Sequence, residues 1–373
     1  MADTYVEIDI DKILYNIETI RFIDKNAMFC AVVKANGYGL GASRIANEIE
    51  DEVDYFAVAR VSEAINLRKT GITKPVLVLG YVSIDDINKC RDFKIEFPVY
   101  DLAYAKRINE KLSGPTDVHI GLDTGHSRLG FREFEIEKIK KLNTLENLNI
   151  ISAFTHYATA DEVDQSFTIL QSKRYYDIIG QIDDTFDFKF LHISNSAASI
   201  KYKNLKDMAR IGISLYGIYP SDHIKDSTDV KLQQCFCLKS EVSFVKTVAK
   251  NTPISYGRSY VTDKETQIAT ISIGYADGYP RILSNQGLVS IHGVGCRVLG
   301  RVCMDQLMVD ASGLDVRIGD EVIVYPNVYE EAKKANTIAY ELMTSISMRV
   351  PRIYKKNGKI ITIDNYLGEI NEN

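Results

Sequence analysis

Short apolar runs alternate with stretches of helical spacing over the first two-thirds of the chain. Runs of strand length occur at FCAVVKA (29–35), DYFAVA (54–59), PVLVLG (75–80), EFPVY (96–100), TDVHIGLD (116–123), IISAFTHY (150–157) and FKFLHIS (188–194). Between them, segments such as ASRIANEIE, VSEAINLRK and DLAYAKRINEKL repeat apolar residues three and four apart, the period of an amphipathic helix. A strand followed each time by a helix builds a parallel sheet, because every crossover must return the chain to the same end. Seven or eight such units in about 220 residues predict a closed (β/α)8 barrel, so the fold class is α/β. The rival, a doubly wound open sheet, calls for a dinucleotide glycine fingerprint after the first strand. GYGLGA (37–42) does not match that fingerprint.

Beyond about residue 230 the pattern changes. KSEVSFVKTVAK, QIATISIGY, LVSIHGVGCRVLG and DEVIVYP read as strands joined by short Gly, Asn or Asp turns, with one helix predicted over EEAKKANTIAYELM. The predicted division is a barrel over 1–230 and a mainly antiparallel β domain over 231–373. The opening strand TYVEIDI (4–10) is expected to pair with that second domain.

Composition narrows the function. An apolar fraction of 45% and a charged fraction of 25% are ordinary for a globular chain. A net charge of −5 speaks against a nucleic-acid or anionic-membrane surface. No apolar run reaches membrane-span length, and MADTYVEIDIDKIL lacks the basic and apolar regions of a signal peptide. A cytoplasmic protein is expected. The six cysteines are scattered; Cys235 and Cys237 are one residue apart, which is neither a zinc nor a redox spacing. No metal site is expected.

The chemistry concentrates at strand ends. In AVVKANGYGLG (31–41), Lys34 closes an apolar strand, where a charged amine is costly unless neutralised, paired or covalently used. Attachment to an aldehyde cofactor resolves that cost, and barrel active sites lie at strand ends; a lysine reaching past the strand to solvent is the bland reading of position alone. Tyr38 stands in the Gly-rich turn, placed to reach a phosphate. Arg128, in LDTGHSRLGF (122–131), reads alone as a surface-loop arginine in a turn, and His156, in FTHYATAD (154–161), as a structural strand-end histidine. Ser196, in ISNSAAS (193–199), opens a helix that could face a phosphate or simply be capped.

Taken whole, AVVKANGYGLG resembles the cofactor-lysine motif of the alanine racemase family, with its Lys-Ala-Asn-x-Tyr-Gly core; Gly37 and Leu40 depart from the usual small residue and histidine. The resemblance covers nearly the whole chain. It implies pyridoxal 5'-phosphate held by Lys34, Tyr38, His156, Ser196, Arg210 and the amides of Gly212 and Ile213. Arg210, in ARIGISLYG (209–217), would face the pyridine nitrogen. Arginine stays protonated, so it cannot hand that nitrogen a full proton, and such a site favours proton removal and return over transamination. PISYGRSY (253–260) matches the catalytic-tyrosine loop at Tyr256. A phenol titrates near 10, so such a base needs desolvation and positive neighbours, for which His156 and Arg210 are the expected sources. IGYADGYPR (273–281) and RVCMDQ (301–306) match pocket segments, with the Met304 amide and Arg128 toward the substrate carboxylate and Tyr275, Cys303 and Asp305 shaping the pocket. The resemblance further implies a head-to-tail homodimer with shared active sites, and racemisation of a small amino acid, L-alanine to D-alanine, by two bases, Lys34 and Tyr256.

Three further departures from the family pattern bear on specificity. Gly121 replaces a lysine, carbamylated in use, that buttresses the arginine, leaving Asp305 or a bound anion to orient Arg128. Met348 replaces a tyrosine in SMRVPRIY (347–354), and His126 an apolar residue. Serine or broad-specificity racemisation, a same-fold decarboxylase, a non-catalytic cofactor-binding protein and a repurposed homologue therefore stay open. Arg210 speaks against the decarboxylase, and the β domain against the single-barrel binding protein.

Overall fold

The computed structural model describes residues 3–202 and 207–366. The chain divides into two compact units. One comprises Lys12–Gly37 and Ala42–Gln234; the other comprises Met1–Asp11, Tyr38–Gly41 and Cys235–Asn373.

The first unit is the predicted barrel. Its strands are β2 (Met28–Val32), β3 (Tyr55–Val58), β4 (Val76–Val78), β5 (Ile95–Val99), β6 (Thr116–Gly121), β7 (Leu148–Phe154), β8 (Phe190–His192) and β9 (Met208–Ile211), after β1 (Tyr5–Asp9) of the other unit. They run parallel in the order β8-β7-β6-β5-β4-β3-β2-β9. The barrel nearly closes between β8 and β9, where the Arg210 amide donates to the Ser194 carbonyl at 3.2 Å and the Leu191 amide to Asp207 Oδ2 at 2.7 Å. β3, β4 and β5 are buried at every residue and the other strands at most of theirs, because helices cover the outside and side chains fill the inside. Helices such as Ala42–Ile49, Val61–Lys69, Leu102–Lys111 and Ser166–Ile182 form that cover. Their starts are sequence-encoded: Asp101 caps Leu102–Lys111 by accepting from the Tyr104 amide at 2.8 Å. The eighth strand, β9, was not among the seven apolar runs, because its four residues include Arg210.

The second unit is built on a nine-stranded, mostly antiparallel sheet. β10 (Phe236–Val248) pairs with β1, as expected of the opening segment, and β1 pairs in parallel with a strand over Arg352–Lys356. The hairpin Leu288–Ile291 to Val294–Arg297 turns on His292 (φ 51°) and Gly293 (φ 79°), the left-handed pair that matches strand twist. Ile254, Ile268 and Leu299 form a core cluster, with Val248, Tyr260 and Met308 against it. The single predicted helix is two, Val328–Lys334 and Ala339–Thr344. The break falls at Asn336, whose φ of 53° leaves the right-handed helical region, as asparagine does more readily than most residues. Among the described residues, no helix is long and apolar enough to cross a membrane.

Candidate active site

Lys34 lies two residues past β2, one residue further along the turn than a strand-end position. The chain then enters a left-handed turn: φ is 53° at Ala35, 54° at Asn36, 62° at Gly37 and 54° at Tyr38. Gly37 adopts this freely and Asn36 more readily than most residues; Ala35 and Tyr38 cost roughly 1–2 kcal/mol each. Their surroundings hold them there. Glu63 Oε1 accepts from the Ala35 amide at 2.6 Å, Asn36 Oδ1 from the Ala42 amide at 3.1 Å, and the Gly37 amide donates back to the Val33 carbonyl at 2.8 Å. Strain sustained by this many contacts is a mark of function. Burial, then the charge of Arg128, pull the Lys34 amine below its ordinary range against the opposing pull of Glu63. The amine is thus biased toward its neutral, nucleophilic form.

Arg210 is 4% exposed. Its Nη2 donates to the Thr155 carbonyl at 2.8 Å and lies 3.4 Å from His156 Nδ1; its Nη1 donates to the His192 carbonyl at 3.0 Å and to His192 Nδ1 at 2.8 Å. Burial brings the guanidinium down to about 10, so it keeps its charge at neutral pH. His156 is held well below its ordinary range, first by burial and then by Arg210, Arg128, His126 and Lys34. It is therefore a neutral ring, and of the two groups expected to lend a positive field only Arg210 carries charge. The His126 ring is 5.5 Å from that of His156, and its buried Nδ1 has no partner.

Arg128 acts electrostatically on Lys34, His156 and Arg210. It makes no hydrogen bond or ion pair among the described residues. The gap at Gly121 is closed: a Cβ there would lie 3.4 Å from Tyr100 Cβ, 3.6 Å from Leu129 and 3.7 Å from Phe154. Ser196 Oγ accepts from the Gly212 amide at 2.9 Å, bringing together two of the predicted phosphate ligands. Ile213 follows as the first residue of a short 3₁₀ turn. The barrel unit thus gathers Lys34, Arg128, His156, Ser196, Arg210, Gly212 and Ile213, with three cations in one neighbourhood and Glu63 as the carboxylate acting on Lys34.

The other residues belong to the second unit. Tyr38 is buried, its hydroxyl pushed up by burial, and its ring lies 6.1 Å from that of Tyr340. The stretch after it is fixed by the end of SMRVPRIY: Arg352 donates twice to the Gly39 carbonyl, at 2.8 and 3.1 Å, and the Tyr354 hydroxyl to the Leu40 carbonyl at 2.9 Å. Gly39 cannot be larger, since a Cβ would fall 2.3 Å from the Met343 carbonyl oxygen. Tyr256 sits between Pro253–Ile254 and Tyr260–Val261 and is 68% exposed. The Arg301 guanidinium lies 3.4 Å from where a Cβ on its neighbour Gly257 would stand. Met304, Tyr275 and Met348 are also exposed. Asp305, expected as one means of orienting Arg128, is taken by Arg349, whose Nη2 donates to it at 2.8 Å while its Nε donates to Asp277 at 2.7 Å.

Three functional contacts escaped the sequence reading: the polar line behind Arg210 (His192, His119 and Glu96), Glu63 against Ala35, and Arg352 on Gly39. The first had a signal. Glu96, His119 and His192 are polar residues inside otherwise apolar barrel strands, and buried polar groups need partners.

Lys34, Arg128 and Arg210 form a cationic site beside the Ser196–Gly212 pair. That donor set fits a phosphorylated aldehyde carrying a carboxylate substrate: an amine to attach, amides and a hydroxyl for phosphate, and arginines for anionic oxygens. Comparison with known proteins agrees. Residues 8–220 match the family model for the alanine racemase N-terminal domain and residues 235–354 that for the C-terminal domain. The chain is 40% identical to the alanine racemase of Clostridium perfringens over 97% of its length and 98% of that protein's. It is 41% identical to the alanine racemase of Methanococcus maripaludis over 94% and 98%. Among solved structures it is similar to the alanine racemase of Clostridium difficile 630 (TM-score 0.93, 39% identity, 98% of this chain and 99% of that one). It is also similar to that of Bacillus anthracis with bound L-Ala-P (TM-score 0.94, 35% identity, 98% of each). The chain belongs to the alanine racemase family of isomerases.

Proposed function

We propose that this protein interconverts L- and D-alanine using pyridoxal 5'-phosphate, as a cytoplasmic head-to-tail homodimer. The observation that carries the reading is the unbalanced cationic site of the barrel, where Lys34 is biased toward the neutral amine and Arg128 has no protein anion beside it. Lys34 would hold the cofactor aldehyde; Ser196, Gly212, Ile213 and Tyr38 its phosphate; His156 its ring face; Arg210 its ring nitrogen. When bound, the cofactor lends an electron sink that acidifies the α-proton of the attached amino acid.

The chain's own groups supply the rest. Arg128 and the Met304 amide bind the substrate carboxylate. Arg210 would donate a hydrogen bond to the ring nitrogen without releasing a proton, which favours return of the proton to the α-carbon. Tyr256 Oη and Lys34 Nζ, its amine freed when the substrate amine takes its place, would serve opposite faces of that carbon: the L-isomer would lose its proton to Tyr256 and the D-isomer to Lys34, each returned by the other base. Positioning two bases across one carbon is the main catalytic task. The exposure of Tyr256 supports the dimer. A phenol in open water is a poor proton shuttle, and Tyr256 needs a covering surface that excludes solvent.

A second reading, racemisation of serine or a broader range, is favoured by Met348 and His126, which replace a tyrosine and an apolar residue. Chiral chromatography of L-alanine and L-serine incubated with the purified, cofactor-loaded protein tests both. Faster formation of D-alanine is expected. Serine as the equal or better substrate would replace the first reading with the second, and no D-isomer from either would end both.

A further inference from the structure

Behind Arg210 a line of polar side chains runs through the barrel interior. Arg210 Nη1 lies 2.8 Å from His192 Nδ1, His192 Nε2 lies 2.9 Å from His119 Nδ1, and His119 Nε2 lies 2.9 Å from Glu96 Oε2. The four residues come from β9, β8, β6 and β5. Both imidazoles are fully buried, and aromatic rings clamp them: Phe154 stacks on His192 at 4.9 Å, and Phe190 meets His119 edge-on at 5.7 Å. The Tyr55 hydroxyl lies 3.4 Å from Glu96 Oε1.

The chemistry of the two ends fixes everything between them. Guanidinium can only donate, so His192 Nδ1 must accept. Burial, Arg210 and His119 hold His192 well below its ordinary range, so the ring is neutral and carries its one proton on Nε2. That proton goes to His119 Nδ1, which must accept in turn, leaving His119 to donate from Nε2. A carboxylate, which only accepts, is the group that can end such a line. Read in reverse, the line fails, because Arg210 has no lone pair to offer.

We propose that Glu96 is a positioning residue: as the anionic terminus of the line Arg210–His192–His119–Glu96, it accepts from His119 Nε2 and holds that ring as the Nε2–H tautomer, so that His119 accepts from His192 and the line keeps the Arg210 guanidinium in the orientation the site requires. The buttressing logic is that of partners behind metal-bound histidines, which set tautomer and orientation without touching the reacting atoms.

The assignment makes a statement about protons that is independent of turnover. Ring ¹⁵N spectra of the holoenzyme at neutral pH should show His119 and His192 each as a single Nε2–H tautomer. Either ring as Nδ1–H, or doubly protonated, overturns the proposal. Glu96→Gln keeps an acceptor for His119 and loses the charge; Glu96→Leu loses both. The Gln variant should retain both tautomers, whereas the Leu variant should show mixed tautomers at His119. Tautomers unchanged in Glu96→Leu would also overturn it. If that variant does not fold, the spectra of the unaltered and Gln proteins decide the matter. The activity arm rests on the racemase reading: kcat should fall on the order of 10-fold in Glu96→Leu and largely recover in Glu96→Gln, with KM little changed. Locked tautomers in a protein with no racemase activity would leave the line standing and remove that reading instead. A kcat unaltered in Glu96→Leu, in a protein that does racemise, would remove the positioning role.

Discussion

The two units place their functional groups in opposite environments. In the barrel, Lys34, His156 and Arg210 are enclosed and pulled from their ordinary titration ranges by burial, and Arg210 is set by hydrogen bonds at both terminal nitrogens. In the β unit, Tyr256, Tyr275, Met304 and Met348 stand exposed, on loops whose own backbones are well anchored. Ser255 Oγ, for example, donates to the Arg301 carbonyl at 2.6 Å. The difference teaches a division of labour. The barrel builds a preorganised cluster of buried charged and polar groups, where low dielectric strengthens each interaction. The β unit presents its exposed groups on a firm scaffold.

The sharpest break of this comparison is mutational. Tyr256→Phe should lower kcat by roughly 10²–10⁴-fold, the usual worth of a positioned proton-transfer group, with no change in unfolding midpoint, because an exposed hydroxyl contributes little to the fold. Lys34→Ala should abolish both cofactor absorbance and turnover, whereas Tyr256→Phe should leave the absorbance intact. Normal turnover by Tyr256→Phe would remove the two-base scheme.

Next in size is the anchor of the β unit. Arg352 is buried, and all its hydrogen bonds are to carbonyls: Gly39, Ile346, Ser347 and Val350. Arg352→Met keeps the stem and removes every bond, at roughly 3 kcal/mol or more, since bonds to charged groups are the stronger kind and several acceptors would be stranded. Urea unfolding would measure it. A loss under about 0.5 kcal/mol would mean that this unit does not depend on Arg352 to fix the Tyr38–Gly41 stretch.

The enclosed histidines predict a pH dependence for the barrel. His156 and His192 stay neutral in the folded state, while the same rings in an unfolded chain protonate below about pH 6.5. The unfolded chain then binds more protons, so stability falls as pH drops through that value, by up to about 1.4 kcal/mol per pH unit for each histidine. Stability measured between about pH 8 and about pH 5 should show that decline, reduced in His156→Gln. A flat profile would contradict the buried neutral rings.

Much of this was legible beforehand. The alternation of apolar runs and helical repeats gave seven barrel strands, and the motifs named Arg128, His156 and Arg210, which with Lys34 form one electrostatically linked set. What was not legible depended on three-dimensional neighbours. β9 is too short and too polar to register as an apolar run. The left-handed turn at 35–38 is carried by Ala35 and Tyr38, which no propensity assigns there, and is held by Glu63 from nearly thirty residues away. Asp305 could be seen to be near the pocket segments, but not that Arg349 claims it.

The smallest predicted effect concerns Gly121, where a family lysine is missing. Gly121 has no left-handed φ and lies at the end of β6, so its lack of a side chain brings no conformational advantage and carries the entropy cost of glycine in a strand. The nearest atoms to an added Cβ stand at ordinary contact distance, and the tightest, Tyr100 Cβ at 3.4 Å, is at its edge. Gly121→Ala should therefore be neutral to slightly stabilising, by up to about 0.5–1 kcal/mol. It should also leave kcat and KM unchanged, because Arg128 makes no contact in the structure that an alanine methyl could displace. Gly121→Lys differs in kind: its stem must pass Tyr100, Leu129 and Phe154, so it should destabilise by about 1–3 kcal/mol through overpacking. If the lysine variant were instead as stable as the parent and bound substrate more tightly, the enclosure around Gly121 would be softer than its packing indicates. Arg128 would then be the one barrel group waiting for a partner to complete it.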